Sequence, residues 1–196
     1  MDNIFTVVNS TIIGIIGLLT ILLKYILGKK VENPIVAQNN IDDNVMAALE
    51  YIKKELNADR VCVHEFHNGG KYLSGNSQQK LSISYESLSS GTSSIFRKFQ
   101  NVRTSALCTI LKKVIKDKVY LSKLNEQEAF PTDLKTHGST IVKFALLNTL
   151  TNKPLGILSI HYVKCNRVTL TEKEKLFLDK QRKIITGYLI SHKISI

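Results

Sequence analysis

The first feature of the chain is an uncharged apolar segment from Ile4 to Leu23, which reads IFTVVNSTIIGIIGLLTILL. A helix of this length rises about 30 Å, which matches the hydrocarbon core of a bilayer. Lysines follow the segment, whereas Asp2 precedes it, and lysine-rich flanks stay in the cytoplasm. We therefore expect residues 1–30 to form a single transmembrane helix with a basic flank, in the cell membrane, with the N-terminus outside and the C-terminal domain cytoplasmic. A helix lying in the membrane surface is the alternative.

The next segment, residues 31–41, has no sustained hydrophobic period and is interpreted as a linker, either a flexible tether or a partly helical stalk. An amphipathic helix follows, for which Asp42 or Asp43 is the expected cap and Asn57 the expected stop. Its apolar positions recur at helical spacing: Val45, Met46, Leu49, Ile52 and Leu56.

Alternation and turn residues predict the remaining elements. The predicted strands are Arg60 to His67, ending at the turn Asn68-Gly69-Gly70, then Lys80 to Glu86, Val119 to Leu124, and a hairpin of Thr140 to Leu150 with Leu155 to Val163. The predicted helices are Thr104 to Lys116 and a last one beginning at Thr171, which has the capping-box spacing to Glu174. Residues 125–138 are predicted to be a loop. The element order indicates an α+β fold with an antiparallel sheet flanked by helices.

The soluble part, residues 42–190, resembles a GAF domain (GAF/PAS-like), with residues 191–196 as a tail. The resemblance rests on the opening helix into a strand, the hairpin FALLNTLTNKPLGILSIHYV and the closing helix LTEKEKLFLDKQRKIITGYL. It implies a sensory or regulatory module that binds a small molecule between sheet and helices, takes part in signalling, and forms a homodimer through its terminal helices.

Cysteines and known motifs give no sign of catalysis. The three cysteines, Cys62, Cys108 and Cys165, are odd in number and widely spaced, which is typical of reduced thiols in a cytosolic domain. The chain contains no nucleophile elbow, phosphate-binding loop or paired carboxylates. We therefore expect that the protein is not an enzyme and that it binds no cofactor. We also expect no metal site, because His64 and His67 point to opposite faces of a strand and spacing suggests no third ligand, although His161 is a conceivable partner.

The densest chemistry lies at the end of the first predicted strand. Polar, aromatic and glycine residues at a strand end are typical of a pocket mouth, and a lysine there suits an anion. The predicted ligand-binding residues are His64, Phe66, His67, Asn68, Lys71, Tyr72, Tyr85 and Glu86. If they form a pocket, His64, His67, Lys71 and Tyr85 should converge. An ordinary solvated turn is the alternative.

A basic patch is the second candidate, in a chain of formal net charge +11. Its residues are Arg97, Lys98, Arg103, Lys112, Lys113 and Lys116. A nearby membrane offers anionic lipid headgroups as partners. Nucleic acid is not expected, because aromatic residues do not interleave with the basic ones. A solvated helix face is the alternative.

Together these observations favour a membrane-anchored, GAF-like regulatory module that binds a small, anionic ligand or a partner protein. Two other classes remain open: a non-enzymatic scaffold or interaction protein at the membrane, and a phage-type membrane or lysis protein.

Overall fold

The computed structural model describes residues 18, 19, 22, 34–72, 74–75, 77–124, 129–163, 165 and 169–191. The chain divides into two units, residues 1–37 and residues 38–196. The predicted anchor and the tail after residue 191 lie outside the described residues, except for the exposed side chains of Leu18, Leu19 and Leu22. In the described part of the chain, no helix is long and apolar enough to cross a membrane. The anchor therefore stays a prediction.

Helices and strands follow one another along the described chain in an α+β order. The helices are α1 (Pro34–Glu55), α2 (Cys108–Asp117), α3 (Ala129–Thr136) and α4 (Glu172–Ser191), with a 3-10 turn at Thr104–Leu107. The strands are β1 (Arg60–Lys71), β2 (Ser77–Leu88), β3 (Val102–Arg103), β4 (Val119–Ser122), β5 (Ser139–Asn148) and β6 (Pro154–Val163). The strands form one sheet in the order β3-β2-β1-β6-β5-β4, and each neighbouring pair is antiparallel.

The sheet has a hydrophobic core on each face, because side chains alternate along its strands. On one face, which we call the outer face, Val63 and Leu158 pack with apolar residues of α1 and α4. On the other, which we call the inner face, Cys62 and Ile157 pack with the segment 91–100, α2 and α3. The domain is therefore a sheet between two helical layers, as the sequence predicted.

The helix predictions are confirmed at their apolar positions and wrong at several ends. Val45, Leu49 and Ile52 are fully buried, but α1 begins at Pro34, inside the predicted linker, so neither Asp42 nor Asp43 caps it. Asn57 takes a positive φ of 46° just after α1, which is typical of a residue that ends a helix.

Two other helices differ from their predictions. The helix predicted from Thr104 opens with a 3-10 turn and becomes α-helical only at Cys108. The predicted loop at residues 125–138 contains α3, with Pro131 in its first turn. Proline is tolerated there, because the first backbone N–H groups of a helix have no partner within it.

The capping box of the last helix is confirmed. The Thr171 hydroxyl accepts a hydrogen bond from the Glu174 N–H at 3.2 Å, and the Glu174 carboxylate accepts one from the Thr171 N–H at 2.8 Å. That carboxylate also holds the buried Lys143 ammonium at 2.7 Å. The cap thus fixes α4 to β5.

The hairpin of β5 and β6 is confirmed, whereas the end of β1 was predicted wrongly. The strand does not stop at His67 but continues through the glycine pair to Lys71. Pairing of Asn68 with Gln79 and of Lys71 with Ser77 carries the ladder onward, with an irregularity between the two pairs. Gly70 has a φ of 98° there, a conformation that favours glycine.

Candidate functional site

The predicted ligand residues on β1 and β2 do not converge. His64 lies fully buried on the inner face, where its ring meets Phe130 edge to face at 6.0 Å. Tyr85 lies on the outer face, and its hydroxyl donates to Asp42 Oδ1 at 2.6 Å. Lys71 is exposed near the end of β1. The single pocket expected from these residues is therefore not formed.

The other predicted residues of β1 lie near its exposed end. His67 Nε2 hydrogen bonds Ser82 Oγ at 2.8 Å, and the Gly70 N–H donates to Asn68 Oδ1 at 3.3 Å. Tyr72 is 41% exposed, and the Arg103 guanidinium lies over its ring at 6.0 Å. Phe66 is half-buried and packs against the inner core. This end of the strand is a surface held by its own local contacts.

A groove along β2 unites two of the predicted ligand residues with two residues of the basic patch. Its volume is about 670 Å³. The lining residues are Met46, Ser84, Tyr85, Glu86, Ser94, Phe96, Arg97 and Lys98. Arg97 and Lys98 are exposed, and Phe96 is 40% exposed. The groove therefore offers cations, an aromatic face and hydroxyl groups to a small molecule.

The segment 91–100, which carries one wall of this groove, is attached to the sheet by partly buried hydrogen bonds. The Ile95 N–H donates to Glu86 Oε1 at 2.9 Å, and Gln100 Nε2 donates to the Ile83 carbonyl at 2.9 Å. Arg60 Nη2 donates to the Ser93 carbonyl at 2.6 Å. The groove wall is thus attached to the strands beneath it.

The remaining residues of the basic patch lie on other elements. Lys112 and Lys116 are exposed on α2, whose buried residues are Ile110 and Val114. This confirms that the lysines lie outside the buried stripe of the helix. Lys113 Nζ lies 4.5 Å from the centroid of the Tyr120 ring and donates to its hydroxyl at 2.7 Å.

Beneath the groove wall lies a buried polar cluster on the inner face. Glu86 joins the two regions: it lines the groove, and its Oε1 lies 3.5 Å from Arg60 Nε. The Ser94 hydroxyl donates to the other carboxylate oxygen of Glu86, Oε2. The Arg60 and Glu86 side chains are only 1% and 6% exposed. A charge buried this deeply needs its partner, because desolvation penalises an unpaired ion.

The strands β1 and β6 bring the rest of the cluster together. Arg60 pairs with His161 and Cys62 pairs with Ser159, so their side chains share a face. Ser159 Oγ lies 2.7 Å from His64 Nε2 and 2.8 Å from His161 Nε2. The Cys62 thiol donates to Glu86 Oε1 at 3.9 Å. Two imidazoles therefore meet at one hydroxyl, and the thiol lies on the neighbouring strand position.

Hydrogen bonding does not satisfy every atom of this cluster. His161 Nδ1 has a partner in Ser139 Oγ at 3.0 Å, and Ser139 in turn accepts from Arg60 Nη1 at 3.2 Å. His64 Nδ1 is buried without a hydrogen-bond partner. An unsatisfied buried polar atom costs about 1–3 kcal/mol.

Burial keeps the two histidines and the thiol of the cluster uncharged. It lowers the pKa of His64 to about 3. Burial, together with the neighbouring Arg60 charge, lowers the pKa of His161 well below its usual value. Burial also raises the pKa of the Cys62 thiol. These three side chains therefore stay neutral at physiological pH while they are hydrogen-bonded to Ser159, Ser139 and Glu86.

Sequence reasoning missed most of this cluster. The sequence places His64 at an exposed pocket mouth and offers His161 as a conceivable metal ligand, although a lone histidine in an apolar strand is more often simply hydrogen-bonded in place. The available signal was that Arg60, Cys62, His64 and His161 are polar or reactive residues inside otherwise apolar strands. Their meeting depends on the register between β1 and β6, which the sequence does not specify.

Comparison with known proteins identifies the fold. The sequence matches no established protein family and no curated protein. Solved structures resemble it, among them the GAF3 domain of Slr1393 from Synechocystis sp. PCC6803 in its photoproduct state, with a TM-score of 0.61 at 11% identity over 79% of this chain and 96% of that chain. A phycocyanobilin-bound GAF domain from a cyanobacterial phytochrome gives 0.58 at 14% identity over 83% and 96%.

A third similar structure is the blue-light absorbing form of the PixJ GAF domain from Thermosynechococcus elongatus. Its TM-score is 0.57 at 13% identity, over 81% of this chain and 88% of that chain. These likenesses show that the chain has a GAF-like α+β fold, which confirms the resemblance noted in the sequence.

Proposed function

We propose that the chain is a non-enzymatic, membrane-anchored sensory or regulatory module whose GAF-like domain binds a small anionic ligand in the groove along β2. The observation that carries the proposal is that this groove joins Arg97 and Lys98 to the aromatic side chains of Phe96 and Tyr85. Cations beside aromatic side chains suit a ligand that has both a negative group and a flat apolar part.

The charges around the groove favour an anion. Glu86 is the acidic residue of the lining, and its carboxylate is engaged by Arg60, Ser94 and Ile95. Arg97 and Lys98 are exposed, so their charges face the solvent side of the groove. Incoming anions therefore meet a positive rim in a protein whose formal net charge is already +11.

The attachment of the groove wall gives ligand binding a route to the rest of the domain. Glu86 and Arg60 hold the segment 91–100 to β2 and β1. A ligand that shifts this segment would change its contacts with the buried pair that holds it. The solved GAF domain that is described as phycocyanobilin-bound is a precedent for a small molecule on this fold.

A thermal-shift screen tests the groove. The full chain in detergent is screened against nucleoside monophosphates, cyclic nucleotides and aromatic carboxylates. At least one class should raise Tm in the wild type and fail to do so in the double variant Arg97→Glu/Lys98→Glu. The control Lys112→Glu/Lys116→Glu makes the same charge change on α2 and should keep the shift. A rise in Tm that persists in both variants would place the binding site elsewhere. No rise with any compound would favour the hypothesis of a scaffold protein.

Membrane anchoring is proposed from the apolar run of Ile4 to Leu23 and its lysine flank. The full chain should stay with membranes after an alkaline carbonate wash, and a chain lacking residues 4–23 should be released. Cys108 is exposed in the domain. It should therefore react with a membrane-impermeant thiol reagent only after cells are lysed, if the domain is cytoplasmic. Release of the full chain by carbonate would refute the anchor.

Homodimerisation through the terminal helices, contact with anionic lipid headgroups and binding of a partner protein stay predictions. Sedimentation of the full chain in detergent measures the first. Flotation with vesicles that contain or lack phosphatidylserine, using the Lys112→Glu/Lys116→Glu variant as comparison, measures the second.

A further inference from the structure

We propose that Cys62, His64 and His161 form a binding site for one thiophilic transition-metal ion, for which Zn²⁺ is the probe. The site lies in the buried cluster on the inner face and is separate from the groove ligand. It was not expected from the sequence, where His64 and His67 were weighed as ligands and rejected.

The backbone brings the three side chains to one point. Cys62 and Ser159 are direct partners across β1 and β6. His64 lies two residues along β1 from Cys62, and His161 lies two residues along β6 from Ser159, so all of them face the inner core. Their ligand atoms lie within 4.8 Å of one another. Sites on paired strands are held rigidly, which favours a fixed coordination geometry.

The distances require only a small adjustment to hold a metal ion. With bond lengths of about 2.0–2.3 Å, a tetrahedral Zn²⁺ keeps its ligand atoms roughly 3.3–3.7 Å apart. Side-chain rotations that move the ligand atoms by about an ångström would bring the sulfur and the two imidazole nitrogens to that spacing. Ser159 Oγ, at 2.7 Å and 2.8 Å from the two histidine Nε2 atoms, shows how closely the two imidazoles approach each other.

The hydrogen bonds of the cluster are incomplete in a way that points to a ligand. A serine hydroxyl donates one hydrogen bond and accepts two, so Ser159 can satisfy the Nε2 atoms of both histidines. His64 Nδ1 lacks a partner in a fully buried side chain. A metal ion that takes a lone pair from His64 Nδ1 would supply this missing partner.

The chemistry of the donors selects the class of metal. One thiol and two imidazoles suit zinc or copper ions, whereas magnesium and calcium prefer oxygen ligands. Buried, neutral imidazoles already have the ligand form. Metal binding deprotonates a coordinating thiol, so the Cys62 proton leaves to solvent as the sulfur–metal bond forms. The thiolate then offsets part of the ion's charge, while Glu86 balances the nearby Arg60.

Elemental analysis and cobalt spectroscopy test the site. The full chain is expressed in zinc-supplemented medium, purified in detergent and analysed for metal, because a buried site is filled most readily during folding. We expect one Zn²⁺ per chain, and a sulfur-to-metal charge-transfer band when Co²⁺ replaces it. Zinc at a hundredfold excess over its Kd should raise Tm by roughly 5–10 °C.

Matched variants identify the ligands. Cys62→Ser and His161→Gln should weaken zinc binding by at least about 100-fold, since even the loss of groups behind metal ligands costs 10–100-fold. The control Cys108→Ser changes an exposed thiol and should bind like the wild type. Circular dichroism checks that each variant is folded. The cobalt charge-transfer band is measured on the wild type, so it tests for a sulfur ligand even if a variant fails to fold.

Three results would overturn the proposal: no metal in the supplemented wild type, cobalt binding without a sulfur band, or zinc binding that is lost in Cys108→Ser but kept in Cys62→Ser. None of these results bears on the groove, which is tested with the Arg97→Glu/Lys98→Glu variant.

Discussion

The buried pair of Arg60 and Glu86 gives the sharpest test of how the groove is held. Glu86→Gln keeps the size of the side chain and one acceptor oxygen but removes its charge. The Arg60 guanidinium, 1% exposed with its Nε 3.5 Å from Glu86 Oε1, then loses its ion-pair partner. Two hydrogen bonds, from Ser94 and from the Ile95 N–H, lose their charge assistance.

The expected cost follows from that geometry. Two unit charges 3.5 Å apart attract by about 5 kcal/mol at an effective dielectric constant of about 20. Removing Glu86's charge also removes its desolvation penalty, and breaking a buried pair costs about 3–5 kcal/mol in practice. Because glutamine still accepts a hydrogen bond, we expect the lower end, about 3 kcal/mol. This loss corresponds to a fall in Tm of roughly 6–12 °C.

Urea unfolding followed by circular dichroism measures this change, since the chain has no Trp. The control is Glu172→Gln, whose carboxylate is 82% exposed in its pair with Lys175 and should matter by less than about 0.5 kcal/mol. Arg60→Met combined with Glu86→Gln should cost less than the sum of the two single changes. A Glu86→Gln loss no larger than that of the control, or strictly additive losses, would refute the reasoning.

The remaining predictions concern backbone contacts, the helix cap and pH. Gly156→Ala should cost at least about 3 kcal/mol, because the added Cβ would lie 1.9 Å from the His64 carbonyl oxygen. Gly187→Ala, in open space on α4, should be neutral or stabilise the fold by up to about 1 kcal/mol. Urea unfolding midpoints compare the two variants. Thr171→Ala should cost about 1 kcal/mol through loss of the cap, and an unchanged midpoint would contradict that role. The depressed pKa values of His64, about 3, and of His161 mean that the unfolded chain binds more protons below about pH 6.5. Stability is therefore fully present above that pH and falls by roughly 2 kcal/mol per histidine between pH 7 and pH 5; unfolding at the two pH values should show a smaller loss in His161→Gln.

Periodicity predicted the framework of the domain because it depends on local pattern. The spacing of Val45, Leu49 and Ile52 identified a helix face that is fully buried. The alternation and turn residues around Thr151 to Pro154 identified the β5–β6 hairpin. The predicted loop at residues 125–138 concealed α3, since Pro131 reads as a breaker unless its place in a first turn is known.

The site was predicted less well, because it depends on pairing between strands. Alternation shows that neighbouring residues of one strand face opposite ways, but not which face of β2 matches which face of β1. His64 and Tyr85 were expected together and lie on opposite faces. A register shift between Val63 and His64 complicates the pairing further.

Native mass spectrometry of the full chain, released from detergent micelles after gentle purification, tests the central claim most directly. We predict that the wild type carries a small molecule, that Arg97→Glu/Lys98→Glu has lost it, and that Lys112→Glu/Lys116→Glu retains it. A wild-type chain detected without any bound molecule, or an adduct of the same mass and occupancy in both double variants, would contradict a ligand in the groove along β2.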